Sequence, residues 1–220
     1  KYLSDPEEAL HRVKQELQRQ MILVESNCST SMELISRFDA GKARDAAYVE
    51  FVIDNLRREV GLFLRKLSSG SLSEEQTKRL FAYSGMADDI ERIADHAVDV
   101  IKLARAKQRM TVSFTCWAEA ELQEIVGHVR ANLTEVVALM DDMDPGRVNS
   151  IFLREDHIDR LVRDARDRHI ERFNKGLCQA EAGPVFIEIL LRIERMSDHC
   201  ENIAEYMQGI ASSQTVAEGR

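Results

Sequence analysis

The sequence predicts an all-α protein built as a tandem pair of antiparallel three-helix bundles, related by a pseudo-two-fold internal repeat. Hydrophobic residues make up 44% of the 220 residues, and there are only 10 Gly and 3 Pro, too few turn formers for many short strands. Apolar residues recur at three- and four-residue spacing along several long segments, as they do on one face of a helix. The segment IERIADH at 90–96 returns as IERMSDH at 193–199, with five of seven positions identical.

The first two helices are marked by their start and stop signals. Asp5 followed by Pro6 is typical of an N-cap and a first helical position, which predicts helix 1 from there to about Phe38. Helix 2 is expected from about Lys42 to Leu67 because its apolar residues keep to one face. The segment SSGS at 68–71 is a stop signal for it.

Helix 3 begins with a capping box. Ser73 is followed three residues later by Gln76, and the apolar face that starts there predicts a helix that ends near Lys107. The connector QRMTVSFT at 108–115 then leads into the second half.

The second half is expected to repeat this order. Helix 4 is predicted from about Cys116 to Met143, and Asp144 with Pro145 forms the cap of helix 5, which should continue to about Lys175. Helix 6 carries the second signature and should end near Ser212, after beginning near Gly183 or a turn or two earlier with a kink.

The repeat extends well beyond the two signatures. EFVIDNL at 50–56 becomes EDHIDRL at 155–161, which retains Glu, Ile, Asp and Leu in register. The sequence therefore predicts two domains, residues 1–109 and 110–220, each one a three-helix bundle with short loops. Further matches 105 residues apart are Glu16 with Glu121, Asn27 with Asn132, and Asp39 with Asp144.

Acidic side chains form a stripe on helix 3. Asp88, Glu91, Asp95 and Asp99 are spaced three, four and four residues apart, so they lie on one face. Like charges at this spacing destabilise an isolated helix by roughly 0.2–0.5 kcal/mol per pair. The stripe therefore indicates a bound cation, or otherwise a solvated or salt-bridged helix face.

Each half carries two Glu-x-x-x-Asp pairs, one on its second helix and one on its third. The pairs lie beside the apolar stripes, where neighbouring helices can bring four carboxylates together. Hard cations bind several oxygen ligands, so the four matched pairs predict a metal site in each half, with magnesium, manganese, calcium, iron or zinc as the open candidates. The pairs are Glu50 with Asp54, Glu91 with Asp95, Glu155 with Asp159, and Glu194 with Asp198.

Histidines lie next to these motifs, but they do not have the spacing of a di-iron carboxylate site. His96 and His199 follow the second carboxylate of each signature, but adjacent residues point in different directions on a helix, so both are expected to form interhelical hydrogen bonds rather than bind metal. His157 has no histidine counterpart in the first half and is expected to be structural. The Glu-x-x-His spacing of di-iron carboxylate proteins occurs only from Glu8 to His11.

Several functional classes are disfavoured. A net charge of −8 without a basic run opposes nucleic-acid binding. No apolar run is long enough to span a membrane. Four widely spaced cysteines without CxxC fit a reducing, cytosolic setting rather than a zinc ribbon or a disulfide framework. No phosphate loop or nucleophile motif occurs, so the sequence predicts a binding module rather than an enzyme.

The repeated motifs resemble a known family. ERIADHAVDV at 91–100 and ERMSDHCENIAEYM at 194–207 are similar to the E-R-I-x-D-H-x-x-N-I-A-E signature of PhoU domains, and the acidic segments at 50–59 and 155–164 resemble the family's second-helix motif. The resemblance covers nearly the whole chain and implies the same tandem pair of three-helix bundles. It also implies multinuclear metal clusters held by the eight paired carboxylates, with Asp99 and Asn202 at the following polar position, where Asp99 departs from the usual asparagine.

The resemblance implies a role in phosphate uptake. One family type is the cytosolic domain of a sodium-phosphate cotransporter, and KYLSDPEEAL at 1–10 and FTCWAEAEL at 114–122 are similar to it, so we expect this type. The alternative is a stand-alone negative regulator of a phosphate ABC transporter and its sensor histidine kinase, and another is a metal-free helical scaffold that binds a basic partner segment. The expected location is the cytoplasm at the inner face of the membrane, with a homodimer as an open possibility.

Overall fold

The computed structural model describes residues 5–218, and their side chains as far as Ser212. This part of the chain is all helix, with no strand, which confirms the predicted all-α class. The first four residues of KYLSDPEEAL lie outside the described range. The six helices are α1 (Pro6–Ser36), α2 (Ala40–Ser68), α3 (Glu74–Arg109), α4 (Cys116–Asp141), α5 (Pro145–Asn174) and α6 (Ala182–Glu218).

The predicted helix starts are confirmed by their caps. The Asp5 carboxylate accepts hydrogen bonds from the backbone N–H groups of Glu7 and Glu8, with Pro6 in the first turn. Ser73 and Gln76 form the reciprocal capping box at the start of α3. Each cap satisfies N–H groups that have no partner inside the helix.

Two helix ends differ from the prediction. Asp39 is the N-cap of α2, where its carboxylate accepts a hydrogen bond from the backbone N–H of Lys42 at 2.9 Å. Because an N-cap needs an extended backbone, α1 ends at Ser36 and α2 begins at Ala40. At the other end of the chain, α6 continues past the expected end at Ser212 to Glu218.

The two halves share one core. Within the first half α1, α2 and α3 pack against one another, and within the second α4, α5 and α6 do so; the halves meet where α3 packs on α6 and α1 on α4. One continuous cluster of buried side chains runs through both halves, and it includes the repeated Ile90 and Ile193, neither of which is exposed. The apolar stripes therefore fix where the neighbouring carboxylates lie.

A buried carboxylate joins the halves. Asp89 on α3 accepts hydrogen bonds at its Oδ1 from α6, at 2.6 Å from His199 Nδ1 and at 3.0 Å from Asn202 Nδ2. This confirms the interhelical hydrogen bond expected of His199. His96 differs, because its ring stacks on that of His199 with centroids 5.5 Å apart, and its Nδ1 has no partner.

Among the described residues, no helix is both long and apolar enough to cross a membrane. The four cysteines are all free thiols, as the sequence predicts, and Cys28 and Cys200 are buried.

Candidate functional site

The carboxylate pairs meet where the second and third helices of each half pack together. We call Glu50, Asp54, Glu91 and Asp95 the first acidic site, between α2 and α3. The second acidic site, between α5 and α6, consists of Glu155, Asp159, Glu194 and Asp198. Each pair stands beside buried side chains of its own helix, such as Ile53, Ala94 and Ile158, so its carboxylates lie at the edge of the core.

The second acidic site is the more compact of the two. One oxygen each of Glu155, Asp159 and Asp198 lies within 4.8 Å of the other two, and Glu194 is close enough to Asp159 for a hydrogen bond when one of the two carboxyl groups is protonated. Two helices thus bring all four predicted ligands together. In the described part of the chain, no three oxygens of the first acidic site lie as close as this.

Burial and crowding oppose ionisation in the second acidic site. Burial, reinforced by the charges of Asp159 and Glu201, raises the pKa of Glu155 to about 7. Burial, reinforced by Asp159 and Asp198, likewise raises the pKa of Glu194 to about 7. Like charges that are removed from water disfavour the ionised state of each other, so the metal-free site holds protons near neutral pH.

Charges from both helices also converge in the first acidic site. Burial raises the pKa of Glu50, and the carboxylates of Asp95 on α3 and Asp54 on α2 add to the effect. Burial raises the pKa of Glu91 as well, with Asp95 as the next cause, while Arg92 and Arg57 oppose the increase.

Cations neutralise the surroundings of the first acidic site more than those of the second. Asp88, just before the site on α3, is held by Arg57 at 2.6 Å, and Lys102 lies within the field of Glu50 and Asp95. At the equivalent positions of the second half, Arg57 is replaced by Val162 and Lys102 by Glu205. The second half therefore has the same four carboxylates but lacks these two cationic side chains.

The arginines that form ion pairs with carboxylates of the second acidic site lie on the same helices as those carboxylates. Arg163 lies 3.4 Å from Asp159, and Arg195 lies 2.7 Å from Asp198. Both arginine side chains are 62% exposed, so they can turn into solvent at little cost.

The three weaker candidates have other partners. Asp88 pairs with Arg57, as described above. Asp99 pairs with Lys102 at 2.9 Å and with Arg192 of α6 at 3.6 Å. Asn202 donates its amide to Asp89 at the junction of the halves.

One acidic neighbour of the second acidic site, Glu201, was not among the predicted ligands. Burial raises its pKa, and the charges of Glu205, Asp156, Asp198 and Asp159 add to the effect. It stands three residues after Asp198, one turn along α6, so helical spacing alone could have found it. It is not part of the repeat, because the equivalent residue in the first half is Val98.

Comparison with known proteins places the chain in a family. The PhoU domain model matches residues 17–104 and again residues 122–207. The chain belongs to the PhoU family. The two matched segments coincide with the two halves of the repeat, so the tandem arrangement predicted from the sequence is confirmed.

Relatives and a solved structure agree with PhoU membership. The phosphate-specific transport system accessory protein PhoU homolog of Synechocystis is 26% identical over 214 residues, 94% of this chain and 91% of that protein. PhoU homolog 1 of Thermotoga maritima is 21% identical over 213 residues, 96% and 91% of the two chains. The crystal structure of PhoU from Pseudomonas aeruginosa has a TM-score of 0.86 at 20% identity, covering 94% and 99%, which establishes the PhoU fold.

The donor set of the second acidic site suits a hard cation. Two oxygens bound to one Mg²⁺ or Ca²⁺ ion lie about 3–5 Å apart at ordinary metal–oxygen distances, and the three carboxylates already fall within 4.8 Å. All four side chains of the second acidic site are carboxylates, and carboxylate oxygen is the donor that magnesium, calcium and manganese prefer. The residues present therefore fit the metal role predicted for them.

The raised pKa values of Glu155 and Glu194 predict how the stability of the metal-free protein depends on pH. Both groups have a pKa of about 7 in the folded chain and an ordinary value of 4.5, so the folded state binds more protons between these values. Their contribution to stability is fully present below pH 4.5 and is lost as the pH rises through 7. We expect a higher melting temperature at pH 5.5 than at pH 8, measured by circular dichroism in a chelator.

A double variant isolates this contribution. Glu155→Gln with Glu194→Gln removes both titrations, so its stability should exceed that of the wild type at pH 8 and change less between the two pH values. Equal pH slopes for the variant and the wild type would contradict the assignment. The difference between the proteins is the informative quantity, since every other titrating group is common to both.

Proposed function

We propose that this chain is a metal-binding accessory regulator of a phosphate transport system, acting through protein contacts rather than by catalysis. The observation that carries the proposal is the second acidic site, where four carboxylates from α5 and α6 converge. Among the described residues, Asp159 and Asp198 form ion pairs with arginines of their own helices, Arg163 and Arg195. Such a cluster is costly when metal-free and is stabilised by a cation. Membership of the PhoU family supplies the link to phosphate uptake.

The relatives favour the accessory-protein alternative over the cotransporter domain. The Synechocystis and Thermotoga proteins are named for the phosphate-specific transport system, and the match covers 91% of each of them. We accordingly propose the membrane subunits of such a transporter as partners, together with its sensor histidine kinase, at the cytoplasmic face of the membrane.

The metal would be held by the eight paired carboxylates, with the second acidic site as the stronger of the two. Carboxylate donors without nitrogen or sulfur favour magnesium, calcium or manganese over zinc. A bound cation would neutralise the crowded charges and hold α5 and α6 in one relative position. It would thereby present a defined surface to the transporter.

Phosphate uptake in the host tests the proposal. Cells that lack the gene should take up radiolabelled phosphate faster in phosphate-rich medium, and the wild-type gene should restore the low rate. Glu155→Gln with Asp159→Asn should fail to restore it, because the site would lose two of its four negative ligands. A matched control, Asp167→Asn with Glu171→Gln, changes two exposed acids of the same helix and should restore uptake in full.

The outcomes separate the alternatives. An uptake rate that is the same with and without the gene contradicts a role in phosphate transport. Full restoration by the site variant, combined with wild-type protein that carries no metal in elemental analysis, would instead support the metal-free scaffold.

A further inference from the structure

A second cluster of ligand side chains lies between α4 and α5, apart from the acidic sites. It consists of Glu124, His128 and His157, whose ligand atoms all lie within 4.8 Å of one another. The two imidazole rings are perpendicular, with centroids 4.8 Å apart. Glu124 and His128 stand one turn apart on the same face of α4, and His157 reaches them from α5.

This cluster is separate from the second acidic site even though it shares α5. His157 is two residues from both Glu155 and Asp159, which places it about 200° around the helix axis from each of them. Glu155 and Asp159 converge with residues of α6, whereas His157 contacts His128 of α4. The two sets of ligands therefore use opposite faces of α5.

Packing alone does not account for the two histidines. At the equivalent positions of the first half, 105 residues earlier, the chain has Leu23 in place of His128 and Val52 in place of His157. Leu23 packs against the core there, and Val52 is half-buried. The corresponding seam of the fold is thus filled by aliphatic side chains, so the imidazoles of the second half are not needed to fill it.

The third ligand follows the same pattern. The residue equivalent to Glu124 is Arg19, which forms an ion pair with Glu16 of its own helix at 2.9 Å. In the second half the position has changed to a carboxylate beside two imidazoles. The charge of Arg154 reaches His128, but its guanidinium donates a hydrogen bond to Asn132 at 2.7 Å and lies 3.6 Å from Glu135.

We propose that Glu124, His128 and His157 form a binding site for a transition-metal ion of the Zn²⁺ class, distinct from the carboxylate sites. Two imidazole nitrogens and one carboxylate oxygen are a ligand set that zinc accepts, with a fourth position left open to water. Nitrogen donors select zinc, copper, nickel or cobalt over magnesium and calcium. Ligands of one tetrahedral zinc lie about 3.4 Å apart at ordinary bond lengths, so rotation of the exposed Glu124 side chain and of the two imidazole rings would bring the three ligand atoms to this spacing.

The test uses the full chain with excess Mg²⁺ present, so that the carboxylate sites compete poorly for the probe. Zn²⁺ binding is measured by titration calorimetry, and Co²⁺ serves as a visible probe of the ligands. The key variant, His128→Leu with His157→Val, installs the residues that the first half already carries at this seam. It should weaken Zn²⁺ binding at one site by more than about 100-fold, since loss of outer-shell partners alone costs 10- to 100-fold.

Controls keep the result specific. His11→Ala removes an exposed histidine of α1 and should leave Zn²⁺ binding unchanged. Glu155→Gln with Asp159→Asn should also leave it unchanged, so that failure of the carboxylate sites can be told apart from failure of this one. Glu124→Gln changes an exposed side chain that the fold does not need, and it should still weaken Zn²⁺ binding by about 10-fold or more.

Two outcomes would overturn the proposal. One is Zn²⁺ binding by Glu124→Gln and by the double histidine variant with wild-type affinity and stoichiometry. The other is a Co²⁺ spectrum that is the same in these variants as in the wild type.

Discussion

Glu155→Gln with Asp159→Asn is expected to weaken the tightest binding of Mn²⁺ or Mg²⁺ by about 100-fold or more, whereas Glu50→Gln with Asp54→Asn should leave that binding event intact. Cation affinity follows the number of charged oxygen ligands and how rigidly they are held. The second acidic site has its oxygens within 4.8 Å and lacks the counterparts of Arg57 and Lys102. A cation bound there meets more uncompensated negative charge than one bound at the first acidic site.

The two double variants are a matched pair, since they change the same residue types at equivalent positions of α2 and α5. Calorimetric titration of chelator-treated protein gives affinity and stoichiometry for each. Equal losses in both variants would show that the two halves bind cations alike. An unchanged high-affinity event in the Glu155 and Asp159 variant would refute the assignment of the stronger site to the second half.

Phe186→Ala is expected to lower the free energy of unfolding by roughly 3–5 kcal/mol, the usual cost of deleting a fully buried ring. Phe186 on α6 has no exposed surface. Its ring meets Phe114 of the connector edge to face, with centroids 5.2 Å apart, and lies 5.0 Å from the ring of His169 on α5. The Phe186 ring thus packs between α6, the connector and α5, and all three would lose contacts at the cavity that Phe186→Ala creates.

Urea denaturation measures this loss, and Phe81→Ala provides the matched control. Phe81 is 69% exposed on α3, so the same substitution there should change stability by no more than about 0.5 kcal/mol. A loss below about 1.5 kcal/mol for Phe186→Ala would show that α6 can collapse into the space and that the ring is not central to the second half.

Local sequence signals were sufficient for the helices. Asp5 with Pro6, Ser73 with Gln76, and Asp144 with Pro145 each satisfy backbone groups within their own turn, so neighbouring residues contain all the information. The boundary between helices 1 and 2 was predicted two residues too late on both sides, although the match of Asp39 with Asp144 in the repeat indicates an N-cap at Asp39.

The candidate ligands could be predicted because they recur in both halves of the repeat. The ion pairs that distinguish the two acidic sites could not be predicted in this way. The ion pair between Arg57 and Asp88 joins residues 31 positions apart, and that between Asp99 and Arg192 joins the two halves. Sequence spacing cannot predict such contacts, because they depend on how the helices pack against one another. Glu201 and the contact of His128 with His157 were not predicted, because these residues occur in the second half alone and the internal repeat therefore does not mark them.

The continuous core that joins α3 to α6 has a thermodynamic consequence for a protein with two acidic sites. Asp89 lies between Asp88 and Glu91 in the sequence of α3, and its carboxylate accepts a hydrogen bond from His199, the neighbour of Asp198 on α6. If cation binding in one half shifts α3 or α6, we therefore expect the shift to change the helix position in the other half as well. Linkage requires the resulting change in affinity to be reciprocal, so on this proposal the two acidic sites would bind cations as a coupled pair rather than independently.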